Sequence, residues 1–275
     1  MKIPGESPGI GASLVPILEK LPVLSRYAKN RGWFYVISWL HRFTGIWLFV
    51  ALMVYMYFLS SWQTPDVFIT GMKIPVRPIF LFLAWVSSLV VGFHALNGFR
   101  LILYELFGRR NDAAMIRWIF GLSAAYASMV GLMMMMKDQR VSVFFFWLMA
   151  FSLGAIAAYV VASRIWKKRH SVLWKLQRIS GAFLFIAVPA YLLYAYLNPG
   201  EADGAHGAIT WGQIVFTRLV FLTLATWALY HAGYGLFSIA ADYTSTGITR
   251  TGMTALIIVV IAVLAVSAFR LILSV

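Results

Sequence analysis

Two histidines within apolar segments are the side chains best suited to chemistry in this sequence. His94 and His231 lie 137 residues apart, and each precedes an acidic residue by eleven positions, Glu105 and Asp242 respectively. Imidazole is a normal haem ligand, and two imidazoles at one depth on neighbouring helices can take both axial positions of one iron. A lone membrane histidine more often bonds a neighbouring helix, but the matched pair favours a shared haem.

Glycine and arginine residues at matching places supply surroundings for this predicted cofactor. Gly98 and Gly235 follow the histidines by one helical turn and share their face of the helix, where a missing side chain leaves room for a flat macrocycle. Arg42 and Arg178 begin two other apolar segments. Their guanidinium groups can clamp haem propionates, with His41 as a further contact, although arginine at such a place is also often an anchor for lipid phosphate.

The composition places these residues in a membrane. The chain has 275 residues, of which 61% are hydrophobic and 12% charged, whereas an ordinary soluble domain has about 25% charged residues. Cysteine is absent, so this chain cannot itself hold thiolate-ligated zinc or iron–sulfur clusters. The net charge of +14 fits basic loops that face the cytoplasm and anionic lipid better than it fits nucleic-acid binding.

Long apolar segments predict an all-α integral membrane protein with seven transmembrane helices, because about 20 apolar residues in helical form cross a bilayer. The predicted spans are roughly 36–60, 78–104, 116–136, 143–163, 176–197, 212–239 and 253–273. Most of the 23 lysine and arginine residues then fall on the side of the N-terminus, which predicts an N-inside, C-outside orientation. Residues 1–32 are rich in proline and are interpreted as a cytoplasmic lead-in rather than a signal peptide.

The matched residues belong to an internal repeat. The segment LHRFTG at 40–45 opens the first span, and LQRISG at 176–181 opens the fifth, 136 residues later. We therefore interpret 33–136 and 172–275 as two three-helix units, joined by a spacer helix and basic loop at 137–171. A three-helix unit that begins inside ends outside, so one extra helix lets the second copy run parallel to the first.

A second group of polar residues lies at the predicted inner ends of the first and sixth spans. Ser38, Arg42, Asp242 and Tyr243 can form a site for a quinone head group. A quinone carbonyl needs donors such as arginine or a tyrosine hydroxyl, and its reduction takes up two protons, which a carboxylate can relay. The alternative is that Asp242 and Tyr243 merely end a helix, with Tyr243 in the interfacial aromatic belt.

These motifs resemble those of the membrane anchors of succinate dehydrogenase and fumarate reductase. Residues 38–45, SWLHRFTG, resemble the S-x-x-H-R-x-[ST]-G signature of the larger cytochrome b anchor, and His94-x-x-x-Gly98 resembles its haem-ligand segment. His231, followed by Asp242-Tyr243, resembles the haem-ligand and quinone segment of the smaller anchor. The chain thus resembles both anchors fused, but it departs from the pattern in three respects. Gln177 stands where the first copy has His41, Glu105 replaces an aspartate, and the seven-helix layout is unusual.

The resemblance implies the anchor subunit of a succinate:quinone oxidoreductase in a prokaryotic cytoplasmic membrane. Such a subunit binds one haem b, with His94 and His231 as iron ligands and with Arg42 and Arg178 by the propionates. It passes electrons from an iron–sulfur subunit to ubiquinone or menaquinone, or in reverse as a fumarate reductase. FAD and iron–sulfur clusters then belong to a flavoprotein subunit and an iron–sulfur subunit, which can form a higher oligomer with the anchor, and this chain needs no dicarboxylate site.

Two other functions compete with this interpretation. The cytochrome b anchor of another quinone-linked redox complex more often needs two haems and four histidines, but His170 and His206 lie outside the predicted spans. A cofactor-free transporter predicts broken helices and charged residues near the bilayer midplane. Arg218, inside the sixth span, is the residue that the anchor interpretation does not place.

Overall fold

Long helices account for most of the chain that the structure, a computed structural model, describes. The described residues are 22–60, 78–108, 143–197, 211–244 and 247–274, with single positions at 115, 119, 121 and 123. Within them the helices are α1 (Pro22–Ser60), α2 (Pro78–Phe107), α3 (Val143–Ile165), α4 (Val172–Leu197), α5 (Trp211–Tyr243) and α6 (Ile248–Ser274). All six are long and apolar enough to cross a membrane. The protein is therefore an all-α, multi-pass membrane protein.

Six of the seven predicted spans correspond to these helices. The predicted span 116–136 lies outside the described residues apart from three single helical positions, so the seventh helix and the orientation stay predictions. The largest difference is at α1, which begins at Pro22, inside the predicted lead-in, rather than near residue 36. Proline suits the first turn of a helix because its fixed φ is helical and its missing N–H would have no partner there.

Apolar side chains cover the outside of the bundle as well as its core. On α6, Leu256, Ile258 and Val259 are each more than half exposed, as expected for a helix that meets lipid on one side. The backbone satisfies its own hydrogen bonds within each helix, which is required where no water is available. At the end of α2, Gly108 takes a positive φ and its N–H closes the last turn on the carbonyl of Tyr104, a common helix terminus.

Four helices, α1, α2, α4 and α5, form the centre of the bundle. Each of α1 and α4 packs against both α2 and α5, while α3 covers α4 and α6 covers α5 and α1. Tyr55 of α1 and Tyr191 of α4, which are 136 residues apart, share a hydrogen bond. Because equivalent residues of the two copies meet, an approximate twofold axis runs along the bundle. The helices α1 and α4 run parallel, and α2 and α5 run opposite to them.

The spacer helix α3 lies close against α4 at a glycine. A Cβ built at Gly154 would lie 3.0 Å from Cδ2 of Phe183 and 3.5 Å from the carbonyl oxygen of the same residue. Farther along the interface, Trp147 is only 1% exposed and packs among Tyr191, Tyr194 and Phe221. The helices α3 and α4, which are joined by a short connection, are therefore close neighbours.

Replacing Gly154 by valine should lower the thermal stability of the protein. Phe183 is buried, so α3 and α4 must move apart to admit the new side chain, and overpacking of this kind costs about 1–3 kcal/mol. The measurement is the fraction of detergent-solubilised protein that stays monodisperse after heating. Gly252→Val is the matched control, because a Cβ there meets nothing within 4 Å. Equal loss of stability in both variants would contradict the close contact.

Candidate functional site

The two predicted ligand histidines meet in the centre of the four-helix core. His94 of α2 and His231 of α5 have ring centroids 6.4 Å apart and planes at 82° to each other. No group of three or more histidine, cysteine or acidic side chains that could hold a metal ion occurs among the residues the structure describes. A metal ion held by these two rings would therefore have to bring its remaining ligands with it, as the iron of a macrocycle does.

A hydroxyl group on α1 or α4 contacts each imidazole of α2 and α5. Oγ1 of Thr44 lies 3.2 Å from Nδ1 of His94, and Oγ of Ser180 lies 3.2 Å from Nδ1 of His231. Each hydroxyl also lies within hydrogen-bond distance of a backbone carbonyl one turn earlier, Thr44 at 2.9 Å and Ser180 at 3.0 Å. A carbonyl only accepts, so each hydroxyl donates its proton there and has lone pairs left for the ring.

These contacts of Thr44 and Ser180 favour one tautomer of the His94 and His231 rings. When both hydroxyls donate their protons to carbonyls, Nδ1 of each histidine is the donor in the contact that remains. For His94 a second contact agrees, because Nδ1 also lies 3.2 Å from the carbonyl oxygen of His41. The lone pair is then on Nε2 in both rings. A neutral imidazole whose Nδ1–H is held by a neighbouring oxygen is the usual form of a metal-ligating histidine.

Glycines on α1 and α4 let the rings approach the helix backbone. A Cβ at Gly45 would lie 3.0 Å from Cε1 of His94, and a Cβ at Gly181 would lie 3.2 Å from Cε1 of His231. Both distances are tighter than ordinary van der Waals contact. These glycines and the hydroxyls of Thr44 and Ser180 were not among the predicted site residues, although the repeated segments LHRFTG and LQRISG contain all four at one offset.

Gly98 and Gly235, the predicted glycines after the histidines, lie against side chains other than His94 and His231. A Cβ at Gly98 would lie 3.5 Å from Cε1 of His41, and a Cβ at Gly235 would lie 3.8 Å from Nε2 of Gln177. Both are ordinary contact distances. Gly98 and Gly235 thus lie beside the side chains that differ between the two copies, so their predicted role beside the macrocycle stays a prediction.

His41 and Gln177 occupy equivalent places and make different contacts. The ring of His41 stacks on that of His94, with centroids 4.1 Å apart and planes at 10°, whereas Nε2 of Gln177 donates to the carbonyl of His231 at 3.2 Å. Nδ1 of His41 and Oε1 of Gln177 are buried without a partner among the described residues. Atoms of this kind also occur elsewhere among the described residues, at Ser123, Trp147 and Arg218, but the two at His41 and Gln177 flank the histidine pair. Each of these two atoms can form a hydrogen bond to a group bound beside the histidines.

Arg42, Asp242 and Tyr243 come together at the end of the bundle opposite Tyr55. Nη2 of Arg42 lies 2.6 Å from Oδ2 of Asp242, and Nη1 donates to the Tyr243 hydroxyl at 3.3 Å. Ser38, the fourth member of the predicted quinone site, lies one helical turn before Arg42 and is exposed, but it makes no hydrogen bond to the other three within the described residues. The structure thus unites three of the four predicted residues, and the fourth lies on the same stretch of α1.

The second predicted arginine forms a similar ion pair at the same end of the bundle. Nε and Nη2 of Arg178 each bind a different oxygen of Glu105, both at 2.8 Å. We call the end that carries these two ion pairs the ion-pair end. In each pair the arginine comes from one copy and the carboxylate from the other, so the pairs join the copies. The predicted role of both arginines beside haem propionates stays a prediction.

Three further residues from the sequence analysis lie away from the histidine pair. His170 is in the connection between α3 and α4, where its ring lies 4.0 Å from that of Trp174. Arg218 lies in α5, and its Nε is buried without a partner among the described residues. His206 lies outside the described residues.

A comparison with protein families identifies the pattern that both copies share. The family model described as the succinate dehydrogenase/fumarate reductase transmembrane subunit matches the chain twice, over residues 20–130 and again over residues 158–269. The two matches include all eight residues of the histidine, hydroxyl and ion-pair contacts. No curated protein and no solved structure matches the chain significantly.

The two ion pairs should contribute unequally to stability. Arg178 and Glu105 are each 25% exposed and form two bonds, whereas Arg42 and Asp242 are 35% and 47% exposed and form one. Double-mutant cycles with Arg178→Gln and Glu105→Gln should give a coupling free energy of about 1–2 kcal/mol. The matched cycle with Arg42→Gln and Asp242→Asn should give about 0–1 kcal/mol, as for exposed pairs. Unfolding in mixed micelles measures both, and a larger coupling for Arg42 and Asp242 would contradict this ranking.

Proposed function

Because this chain belongs to the family of succinate dehydrogenase/fumarate reductase transmembrane subunits, we propose that it holds haem b and reacts with a membrane quinone. Electrons pass from an iron–sulfur subunit to ubiquinone or menaquinone, or in the reverse direction. The partners are a flavoprotein subunit with FAD and an iron–sulfur subunit with its clusters. The chain itself is a fusion of two parallel three-helix units, 33–136 and 172–275, around the spacer 137–171.

The haem proposal is supported above all by the approach of His94 and His231. An imidazole nitrogen binds a first-row metal ion at about 2.0 Å, so two rings that held one ion between them would have centroids roughly 6 Å apart. The observed separation of 6.4 Å fits this arrangement. The lone pair on Nε2 of each ring, set by the hydroxyls of Thr44 and Ser180, is the donor that the iron needs. A bound haem b supplies a carrier for single electrons.

The protein's own residues would orient this group. Thr44 and Ser180 hold the imidazoles in place, and Gly45 and Gly181 let the rings lie close to α1 and α4. His41 and the arginines Arg42 and Arg178 are the proposed partners of the propionates. Each arginine keeps N–H groups beyond the two that its present partners take, because a guanidinium carries five.

The quinone site is proposed at Arg42, Asp242 and Tyr243, with Ser38 beside them. The Tyr243 side chain is 58% exposed, so its hydroxyl can reach a head group that arrives from the membrane. The Arg42 guanidinium and the Tyr243 hydroxyl are donors for a quinone carbonyl. Reduction to the quinol takes two electrons and two protons, and the exposed Asp242 carboxylate is the group that can relay protons from water.

The orientation proposed for the chain places the ion-pair end in the cytoplasm of a prokaryotic cell. The connection between α3 and α4 lies at that end and carries Lys167, Lys168 and Arg169, next to Arg164 in the last turn of α3. A basic surface of this kind would guide the soluble subunits to the membrane electrostatically. The quinone site then lies on the side where the iron–sulfur subunit docks.

The visible spectrum of the purified complex tests the haem assignment. The reduced-minus-oxidised spectrum should show one low-spin b-type haem per chain, reducible by succinate. In the His231→Leu variant this signal should disappear, because one of the two residues that would hold the iron is lost. The matched control is His170→Leu, which removes an exposed histidine of the α3–α4 connection and should leave the spectrum unchanged. An intact low-spin spectrum in His231→Leu would refute the ligand assignment.

Replacing Tyr243 by phenylalanine tests the quinone site. Loss of one hydrogen bond to the head group should lower quinone reductase activity about tenfold. Succinate oxidation by an artificial dye should stay at its wild-type rate, because that reaction needs no quinone. Tyr159→Phe is the matched control, since Tyr159 is a strongly exposed tyrosine of α3. Unchanged quinone activity in Tyr243→Phe would count against this place for the site.

A further inference from the structure

The approximate twofold symmetry creates a second version of the proposed quinone site. The four members of that site lie on α1 and α5, and their equivalents lie on α4 and α2. At the repeat offsets of 136 and 137 residues, Ser38, Arg42, Asp242 and Tyr243 correspond to Trp174, Arg178, Glu105 and Leu106. The charged pair is thus present in both places, and the two residues beside it have changed from polar to large and apolar.

Arg178 and Glu105 keep the ion pair but leave less of it available to a ligand. Both carboxylate oxygens are bound by the guanidinium, at 2.8 Å each, whereas Asp242 uses only Oδ2 toward Arg42. The Arg178–Glu105 pair is also less exposed to solvent than the Arg42–Asp242 pair. Glu105 therefore has both oxygens bound to the neighbouring arginine, whereas Oδ1 of Asp242 is not bound by Arg42.

Trp174, which is much larger than its equivalent Ser38, lies against Arg178. The guanidinium carbon of Arg178 lies 4.9 Å from the centre of the Trp174 ring, a favourable cation–π distance. Trp174 and Leu106 both pack against the buried cluster of Ile102, Val161, Ile165, Ile179 and Ala182. The equivalent Ser38 and Tyr243 are exposed instead. A large indole therefore lies against Arg178 at the position that a small, exposed serine holds in the other copy.

The connection that follows the spacer helix α3 covers part of the second site. Lys168 donates a hydrogen bond from its ammonium group to the backbone carbonyl of Glu105, and the His170 ring lies 4.0 Å from that of Trp174. Both residues come from the turn between α3 and α4. The spacer thus reaches the second site with its own side chains.

We propose that Trp174 and Leu106 close the second site, so that the chain binds quinone only at Arg42, Asp242 and Tyr243. This inference rests on the proposed quinone site. It makes Trp174 and Leu106 determinants of where quinone reacts, although neither contacts it. An iron–sulfur subunit then exchanges electrons with quinone at only one of the two symmetry-related sites.

Photolabelling of the purified complex with an azido-benzoquinone that carries an isoprenoid tail tests the proposal. In the wild type, mapped peptides should carry label near Arg42 or Tyr243 and none near Arg178 or Glu105. The variant with Trp174→Ser and Leu106→Tyr restores the polar residues and should give two labelled sites per chain instead of one. The matched control Trp174→Phe, which keeps a flat apolar ring, should retain one.

The outcomes separate this inference from the function on which it rests. Label at both places in the wild type would overturn the closed second site while the quinone function stands. Wild-type label near Arg178 alone, or at neither place, would overturn the proposed quinone site together with this inference. A doubly substituted complex that keeps its haem spectrum and still carries one label would also overturn the closure. If that variant fails to assemble, the single variants Trp174→Ser and Leu106→Tyr decide, because a second labelled site in either supports the closure and one labelled site in both contradicts it.

Discussion

The hydrogen bonds between helix hydroxyls and histidine rings are the interaction on which the rest of this molecule depends. In a membrane no water satisfies a buried imidazole, so its N–H needs a partner from the protein. Thr44 and Ser180 provide that partner, and each can do so only because its own proton goes to a carbonyl of the same helix. The helices α1 and α4 must therefore lie close to α2 and α5. Glycines at positions 45 and 181 make this approach possible.

Each copy of the repeat completes the other. The Arg42–Asp242 and Arg178–Glu105 pairs both cross from one copy to the other, and the histidine pair and the tyrosine pair lie on the axis between them. A site on the axis belongs to both copies equally, whereas a site away from it occurs twice. The haem proposed here is of the first kind, and the quinone site is of the second. Symmetry alone would give one haem and two quinone sites.

Divergence between the copies removes the symmetry where function does not need it. His41 stacks on His94, while its equivalent Gln177 bonds a backbone carbonyl. Trp174 packs into the core where its equivalent Ser38 is exposed. The spacer helix α3 adds to the difference between the copies, because it packs closely against α4 and is followed by the turn that covers Glu105. It thus has a structural consequence beyond reversing the direction of the chain.

The sequence by itself determined the membrane class, the described helices, the repeat and the two histidines, because apolar length and fixed spacing are properties of short segments. It also predicted Arg42, Asp242 and Tyr243 as one group, on the strength of the family resemblance. Only the tertiary structure decided that Arg178 binds Glu105 and that Thr44 and Ser180 contact the histidine rings. These contacts join residues 50 or more positions apart on different helices. Their distances depend on how the helices pack, which no local pattern specifies.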